Sequence, residues 1–156
     1  MLNVVLVNPE IPPNTGNIGR LCCAVNATLH LVKPLGFRLD DRSLKRAGLD
    51  YWDKLDLVVW DDLERYLMSV TADRIVLTTS KFGECYHRVE YRPDDHIIFG
   101  SETSGLPRGL LERFSMRIAR IPMDLEKVRS LNLSTSVGIL VFEALKQTGT
   151  LPGQTM

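Results

Sequence analysis

The amino-acid sequence predicts an α/β domain built on a mostly parallel sheet with helices on both faces. Two observations carry that reading. Six short apolar runs, at 2–7, 29–33, 56–60, 74–78, 96–100 and 117–121, are nearly continuous rather than alternating, as strands covered on both faces must be. Between them lie stretches with helical spacing at about 15–26, 42–47, 61–69, 107–114 and 132–147, and strands that alternate with helices build parallel sheets. A chain of 156 residues can bury one sizeable core, so 1–156 is read as a single domain whose tail, 150–156, is loose.

The first strand, Leu2-Asn-Val-Val-Leu-Val7, runs into Pro9-Glu-Ile-Pro-Pro-Asn-Thr-Gly-Asn-Ile-Gly-Arg20. Asn14 is a good N-cap there, and Ile18, Leu21, Cys22 and Val25 recur at helical spacing. Asn17 and Arg20, three residues apart, share one face near the positive end of that helix. The strand Ile97 to Phe99 ends at Gly100, and Glu102 follows between Gly100 and Gly105, where backbone can approach a ligand without a Cβ in the way. The strand Arg117-Ile-Ala-Arg-Ile121 stops at Pro122; beyond a polar loop, Ser130, Asn132 and Ser134 gather at the start of the last helix, where such side chains cap unpaired N–H groups. That helix carries an apolar stripe of Leu133, Val137, Leu140, Val141, Ala144 and Leu145, with Ile139 and Phe142 on a second face. It is either fully buried in its own core or shared with a partner chain.

Ligands in open α/β sheets bind beyond the carboxyl ends of the strands, so residues near 78, 100 and 121 are expected at one edge. The chemistry of that edge is bounded by what the sequence lacks. There is no G-x-G-x-x-G, no G-K-[ST] and no G-x-S-x-G, which removes phosphate-loop and serine-nucleophile readings. His30, His87 and His96 show no metal-ligand spacing, and no metal is expected. Cys22, Cys23 and Cys85 are odd in number and read as structural thiols of a reducing compartment. No apolar run approaches the ~20 residues of a membrane helix, and the start lacks a signal-peptide pattern, so a cytoplasmic protein with no membrane partner is expected. Net charge is zero, with 19 basic and 19 acidic residues, which argues against indiscriminate coating of nucleic acid. Charge is uneven, however: Arg108 to Arg129 holds six basic residues against three acidic, and 55–77 holds five acidic against two basic. A locally basic face can hold a phosphate backbone.

Three stretches, Asn14-Thr-Gly-Asn-Ile-Gly-Arg20, Phe99-Gly-Ser-Glu-Thr-Ser-Gly-Leu-Pro107 and Ile121-Pro-Met with Arg129-Ser-Leu-Asn-Leu-Ser134, resemble the three ordered motifs of the SPOUT RNA ribose 2′-O-methyltransferases. The resemblance runs from Met1 to about Gly149 and looks most like the minimal branch that methylates the wobble cytidine or uridine of tRNA. It departs from that branch at Ser104, where arginine is frequent, and by one extra residue in the loop 124–128. The resemblance implies a C-terminal trefoil knot, which no pattern argument would propose. It also implies bent S-adenosyl-L-methionine as cofactor, held mostly through backbone at Leu77, Thr78, Gly100, Ile121, Ser130 and Leu131. Asn132 is either a cofactor contact or a helix cap. Arg20 is implied to position or activate the ribose hydroxyl, or to hold the RNA backbone. Asn17 would orient Arg20 or the ribose, or serve a local turn; Glu102 would pair with Arg20 or anchor the 100–105 loop. The implied partners are the tRNA anticodon loop and a second copy of the chain in a homodimer. The alternatives are a methyltransferase acting on ribosomal RNA, or a non-catalytic RNA-binding or ribosome-assembly protein on the same fold.

Overall fold

A computed structural model describes every residue except 41, 43, 45, 47–49 and 154–156. Strands β1 (Asn3–Val7), β2 (Thr28–Val32), β3 (Leu57–Trp60), β4 (Ile75–Thr78), β5 (Glu84–Cys85), β6 (His96–Phe99) and β7 (Ile118–Arg120) form one seven-stranded sheet in the order β3-β2-β1-β6-β4-β7-β5. Every pairing is parallel. Helices α1 (Pro12–Val25), α2 (Leu63–Leu67), α3 (Arg108–Arg113) and α4 (Leu133–Thr148) pack against it.

The continuous apolar runs are explained by two cores, one on each face. Val4 and Leu6 of β1 face a core with Ile18, Cys22 and Val25 of α1 and Val137, Leu140, Val141, Ala144 and Leu145 of α4. Val5 and Val7, pointing the other way, join Tyr66 and Leu67 of α2 and Leu110 of α3. The chain lays down β1 to β3 toward one edge, crosses to β4, and only then returns to insert β6 between β1 and β4. Strand order reverses at that seam, which opens a crevice at the carboxyl ends of β1, β6 and β4.

Several boundaries differ from the sequence reading, each for a physical reason. Helix α1 begins at Pro12, not 15, because prolines at its first positions lack only N–H groups that would be orphaned anyway. Asn14 is therefore not its N-cap: Ile11 holds that place without a side-chain cap, and Asn14 is buried within the first turn. Helix α2 is shorter than 61–69, starting after Asp62, whose carboxylate accepts from the Arg65 N–H at 2.8 Å. The two-residue β5 leaves no periodic signal. Half of the helix expected at 42–47 lies outside the described residues. In α4 the long apolar stripe is core of its own chain, while Ile139 is half-buried and Phe142 remains 48% exposed.

A polar cluster sits on the second face at the opposite end of the strands. Trp60 Nε1 donates to His30 Nδ1 at 3.1 Å, so His30 carries its proton on Nε2 and gives it to Asn3 Oδ1 at 2.9 Å. Burial, reinforced by His96, pushes the His30 pKa down to about 4. Nearby, fully buried Asp95 is paired with Arg117 at 2.5 Å, and Arg117 also donates to the Asp73 carbonyl at 2.9 Å. Arg117 thus ties strand starts together and is removed from the basic face expected between 108 and 129.

Candidate active site

A cleft of about 1270 Å³ lies at the carboxyl edge of the sheet. Its walls come from the segment after β4, the loop after β6, the loop after β7 and the first turn of α1, including Ile11 and Asn14. The volume exceeds the ~300–1,000 Å³ of a single small-molecule pocket, leaving room for a second reactant. Phe99, Ile118, Ala119, Ile121, Leu133 and Leu140 supply apolar surface.

The loop after β6 is a closed hairpin. The Gly105 N–H donates to the Ser101 carbonyl at 3.0 Å, and the Ser104 N–H donates to Ser101 Oγ at 3.1 Å. A Cβ on Gly100 would stand 2.0 Å from the Gly105 carbonyl carbon, and Gly105 itself has φ 67°. The glycine at 100 is required because the loop folds back over it, rather than because a ligand needs the space.

Glu102 projects from this hairpin to the start of α1. Its carboxylate accepts from the Glu10 N–H at 2.8 Å, the Ile11 N–H at 3.0 Å and Asn14 Nδ2 at 3.3 Å. It does the work of the missing N-cap from a distant segment, with its charge at the positive end of the helix. Asn14 Oδ1 in turn accepts from Asn132 Nδ2 at 3.0 Å, and Asn132 Oδ1 accepts from the Ser134 N–H at 2.9 Å and Ser134 Oγ at 2.6 Å. One hydrogen-bonded chain, Glu102–Asn14–Asn132, therefore joins segments 88 and 118 residues apart. A second clasp runs the other way: Thr103 Oγ1 donates to the Glu10 carboxylate at 2.6 Å, and this bond, with one from Ser101, holds the Glu10 carboxyl below its usual range.

Seven of the sequence-predicted site residues line the cleft: Thr78, Gly100, Glu102, Ile121, Ser130, Leu131 and Asn132. Leu77 does not. Its side chain is fully buried in the second core and its N–H goes to the Arg117 carbonyl at 2.9 Å. Asn17 and Arg20 also lie off the cleft, on the exposed face of α1. Arg20 is six residues beyond Asn14, about 9 Å along the helix axis. Its guanidinium is 3.2 Å from Asp50 Oδ1 and 5.1 Å from the centre of the Tyr51 ring. The Glu102 carboxylate is engaged at the start of α1 instead of at Arg20. Asn132 caps α4 and also lines the cleft.

Residues that sequence reasoning did not place here include Asn14, Lys81, Phe82 and Met123. Asn14 was visible within the first motif but looked like a local cap. Lys81 and Phe82 gave no periodic signal. The basic run is also less available than its count implied, because Arg108 pairs with Glu112 at 3.0 Å, Arg113 with Glu64 at 3.1 Å and Lys127 with Asp124 at 3.2 Å. Among the described residues, no backbone carbonyl takes the N–H of Ser130, Leu131 or Asn132. Among the described residues, no group of three or more His, Cys, Asp or Glu is placed to hold a metal ion, and no helix is long and apolar enough to cross a membrane.

Comparison with known proteins gives a consistent pattern. The model of the SpoU rRNA Methylase family matches residues 1–142. A tRNA (cytidine(34)-2'-O)-methyltransferase of Burkholderia cenocepacia is 47% identical over 152 residues, covering 96% of this chain and 97% of that protein. A solved structure concerned with the 2-OH methylation of C/U34 on tRNA superposes with a TM-score of 0.85 at 42% identity, over 94% of this chain and 95% of the other. An AdoMet-bound rRNA methyltransferase from Sinorhizobium meliloti superposes with a TM-score of 0.82 at 26% identity, over 93% of this chain and 56% of that longer one.

Proposed function

The chain belongs to the SpoU rRNA methylase family, and from that membership we propose that it methylates the ribose 2′-hydroxyl of the wobble nucleotide, cytidine or uridine, in a tRNA anticodon loop, with S-adenosyl-L-methionine as donor. The observation that carries this reading is the meeting of three distant segments on one cleft, tied by the Glu102–Asn14–Asn132 hydrogen bonds. Its substrate side is supported by near-full-length relatives at 47% and 42% identity that are named for, or concerned with, methylation at that nucleotide.

The residues present fit such a cofactor. Donor N–H groups at Ser130, Leu131 and Asn132 beside Ile121, Leu133 and Leu140 offer a planar base both polar edge contacts and an apolar wall. When bound, the cofactor supplies an activated methyl group on a sulfonium. What the chain must add is alignment of the attacking hydroxyl and relief of its proton. Thr78, Gly100 and the 130–132 backbone hold the donor side, and the Glu102–Asn14–Asn132 chain keeps those walls in register. The hydroxyl is a poor acid, so a cation close to its oxygen stabilises the developing alkoxide. Arg20 is that cation in this reading, with Asn17 on the same helical face orienting it or the ribose. Because Arg20 lies off the cleft of its own chain, a second copy docked on α1 and α4 would supply it, and the protein would act as a homodimer in the cytoplasm.

Incubation of the purified protein with labelled S-adenosyl-L-methionine and total tRNA tests this directly. Label is expected on tRNA, and Arg20→Ala is expected to lower turnover by on the order of 10² with cofactor affinity little changed. Label on ribosomal RNA and not on tRNA would overturn the substrate while leaving the reaction class. Binding of RNA without any transfer would identify a non-catalytic member of the fold.

A further inference from the structure

The segment after β4 carries two cleft side chains, Lys81 and Phe82, to which the proposed methyl transfer assigns no role. Phe82 lines the cleft yet is 49% exposed, whereas the deep wall at Leu140 is only 1% exposed. An aromatic ring half in water gives up stabilisation that a covering group would recover. The backbone on either side of Phe82 is constrained by its neighbours. Gly83 has φ 112°, and a Cβ there would come within 2.7 Å of the Ile118 carbonyl oxygen, so the backbone beside Phe82 is pressed against β7. On the other side the Lys81 N–H donates to Thr79 Oγ1 at 3.2 Å. The chain then enters β5, paired with β7 through Glu84 and Cys85.

Lys81 lines the same cleft and is exposed; among the described residues, no carboxylate is in ion-pair contact with it or with Arg129, another cleft residue. Arg108, by contrast, is paired with Glu112 at 3.0 Å. A half-exposed ring on a constrained backbone, beside an ammonium with no carboxylate in ion-pair contact, is the chemistry that grips single-stranded nucleic acid: the ring offers a stacking face to any base, and the cation meets a phosphate. Buried apolar surface for the cofactor is present at Ile118, Ala119 and Leu140, in a cleft large enough for two reactants.

We propose that Phe82 and Lys81 form a nucleotide-gripping lip, in which the Phe82 ring stacks on an unpaired RNA base beside the methylated nucleotide and the Lys81 ammonium neutralises an adjoining phosphate. The inference rests on the proposed RNA substrate and specifies where its single strand is held.

The test measures binding of a fluorescein-labelled anticodon stem-loop RNA by anisotropy, and of S-adenosyl-L-methionine by calorimetry, for the unsubstituted protein and three variants. Phe82→Ala is expected to weaken RNA binding about tenfold or more while cofactor affinity stays within about twofold, and Phe82→Trp to keep RNA affinity near the starting value. Lys81→Ala is expected to reduce the slope of log affinity against log salt by about one. Equal RNA affinity for the unsubstituted protein and Phe82→Ala overturns the lip. Loss of cofactor affinity in parallel overturns it as well, making Phe82 a cofactor wall. If the methylated RNA proves to be ribosomal, the tRNA reading fails but the lip stands, provided Phe82→Ala weakens binding of a ribosomal RNA fragment carrying that site.

Discussion

Asn14 is the residue on which the three motif segments depend, because its amide gives one bond to Glu102 and takes one from Asn132. Asn14→Ala leaves a carboxylate oxygen and an amide short of a partner, a cost of about 1–3 kcal/mol. Asn14→Asp should cost more, since it sets a second carboxylate against Glu102 and turns a donor into an acceptor. Urea midpoints should fall in the order unsubstituted, Ala, Asp, and calorimetry should show cofactor affinity falling in the same order. An Asp variant as stable as the unsubstituted protein would show that this chain of bonds does not hold the site together. His30 gives a pH dependence of known sign. Its pKa is about 4 when folded and 6.5 when unfolded, so the unfolded state binds the extra proton as pH drops. Stability should be full above pH ~6.5, decline through the window down to pH ~4, and lose on the order of 3 kcal/mol once below it. In His30→Gln the drop across that window should be much smaller, as read by urea midpoints at each pH.

Among the elements, α4 shows most clearly what local pattern reveals and what it does not. Its apolar stripe called for a covering, by its own core or by a partner, and Val137, Leu140, Val141, Ala144 and Leu145 are buried in the core of their own chain. Phe142, 48% exposed on the other face, is what remains for a second copy. Sedimentation equilibrium at micromolar concentration should find a dimer, and Phe142→Asp should shift it toward monomer by placing an unpaired charge in the interface. A monomer without the substitution would remove the dimer and, with it, the route by which Arg20 reaches a cleft. The strands were legible because burial on both faces makes them uniformly apolar, an imprint that does not depend on distant partners. The start of α1 was not, because Pro12 and Pro13 look like loop residues until their place in the first turn is seen. Its cap was illegible for a deeper reason: the capping carboxylate belongs to Glu102, 92 residues away from the Glu10 N–H it accepts. Local periodicity cannot report a partner that only the folded sheet brings near. The lip at Lys81 and Phe82 escaped for the same reason, since its exposure depends on how Gly83 meets β7.

For the whole molecule, the inserted position of β6 brings the ends of β1, β4 and β6 to one edge, and β7 lies next to β4. Asn14 of the first motif meets parts of the other two there, although Glu102 and Asn132 lie 88 and 118 residues from it in the chain. This explains why motif order and spacing pointed to the family while the geometry between motifs had to come from the fold. The most direct measurement is mass spectrometry of tRNA nucleosides and anticodon fragments from cells with and without the gene. A 2′-O-methylated cytidine or uridine at the wobble position should be present in the parent, absent after deletion, and restored by the unsubstituted protein but not by Arg20→Ala. An unchanged wobble nucleotide in the deletion strain would contradict the assignment of this cleft to tRNA ribose methylation.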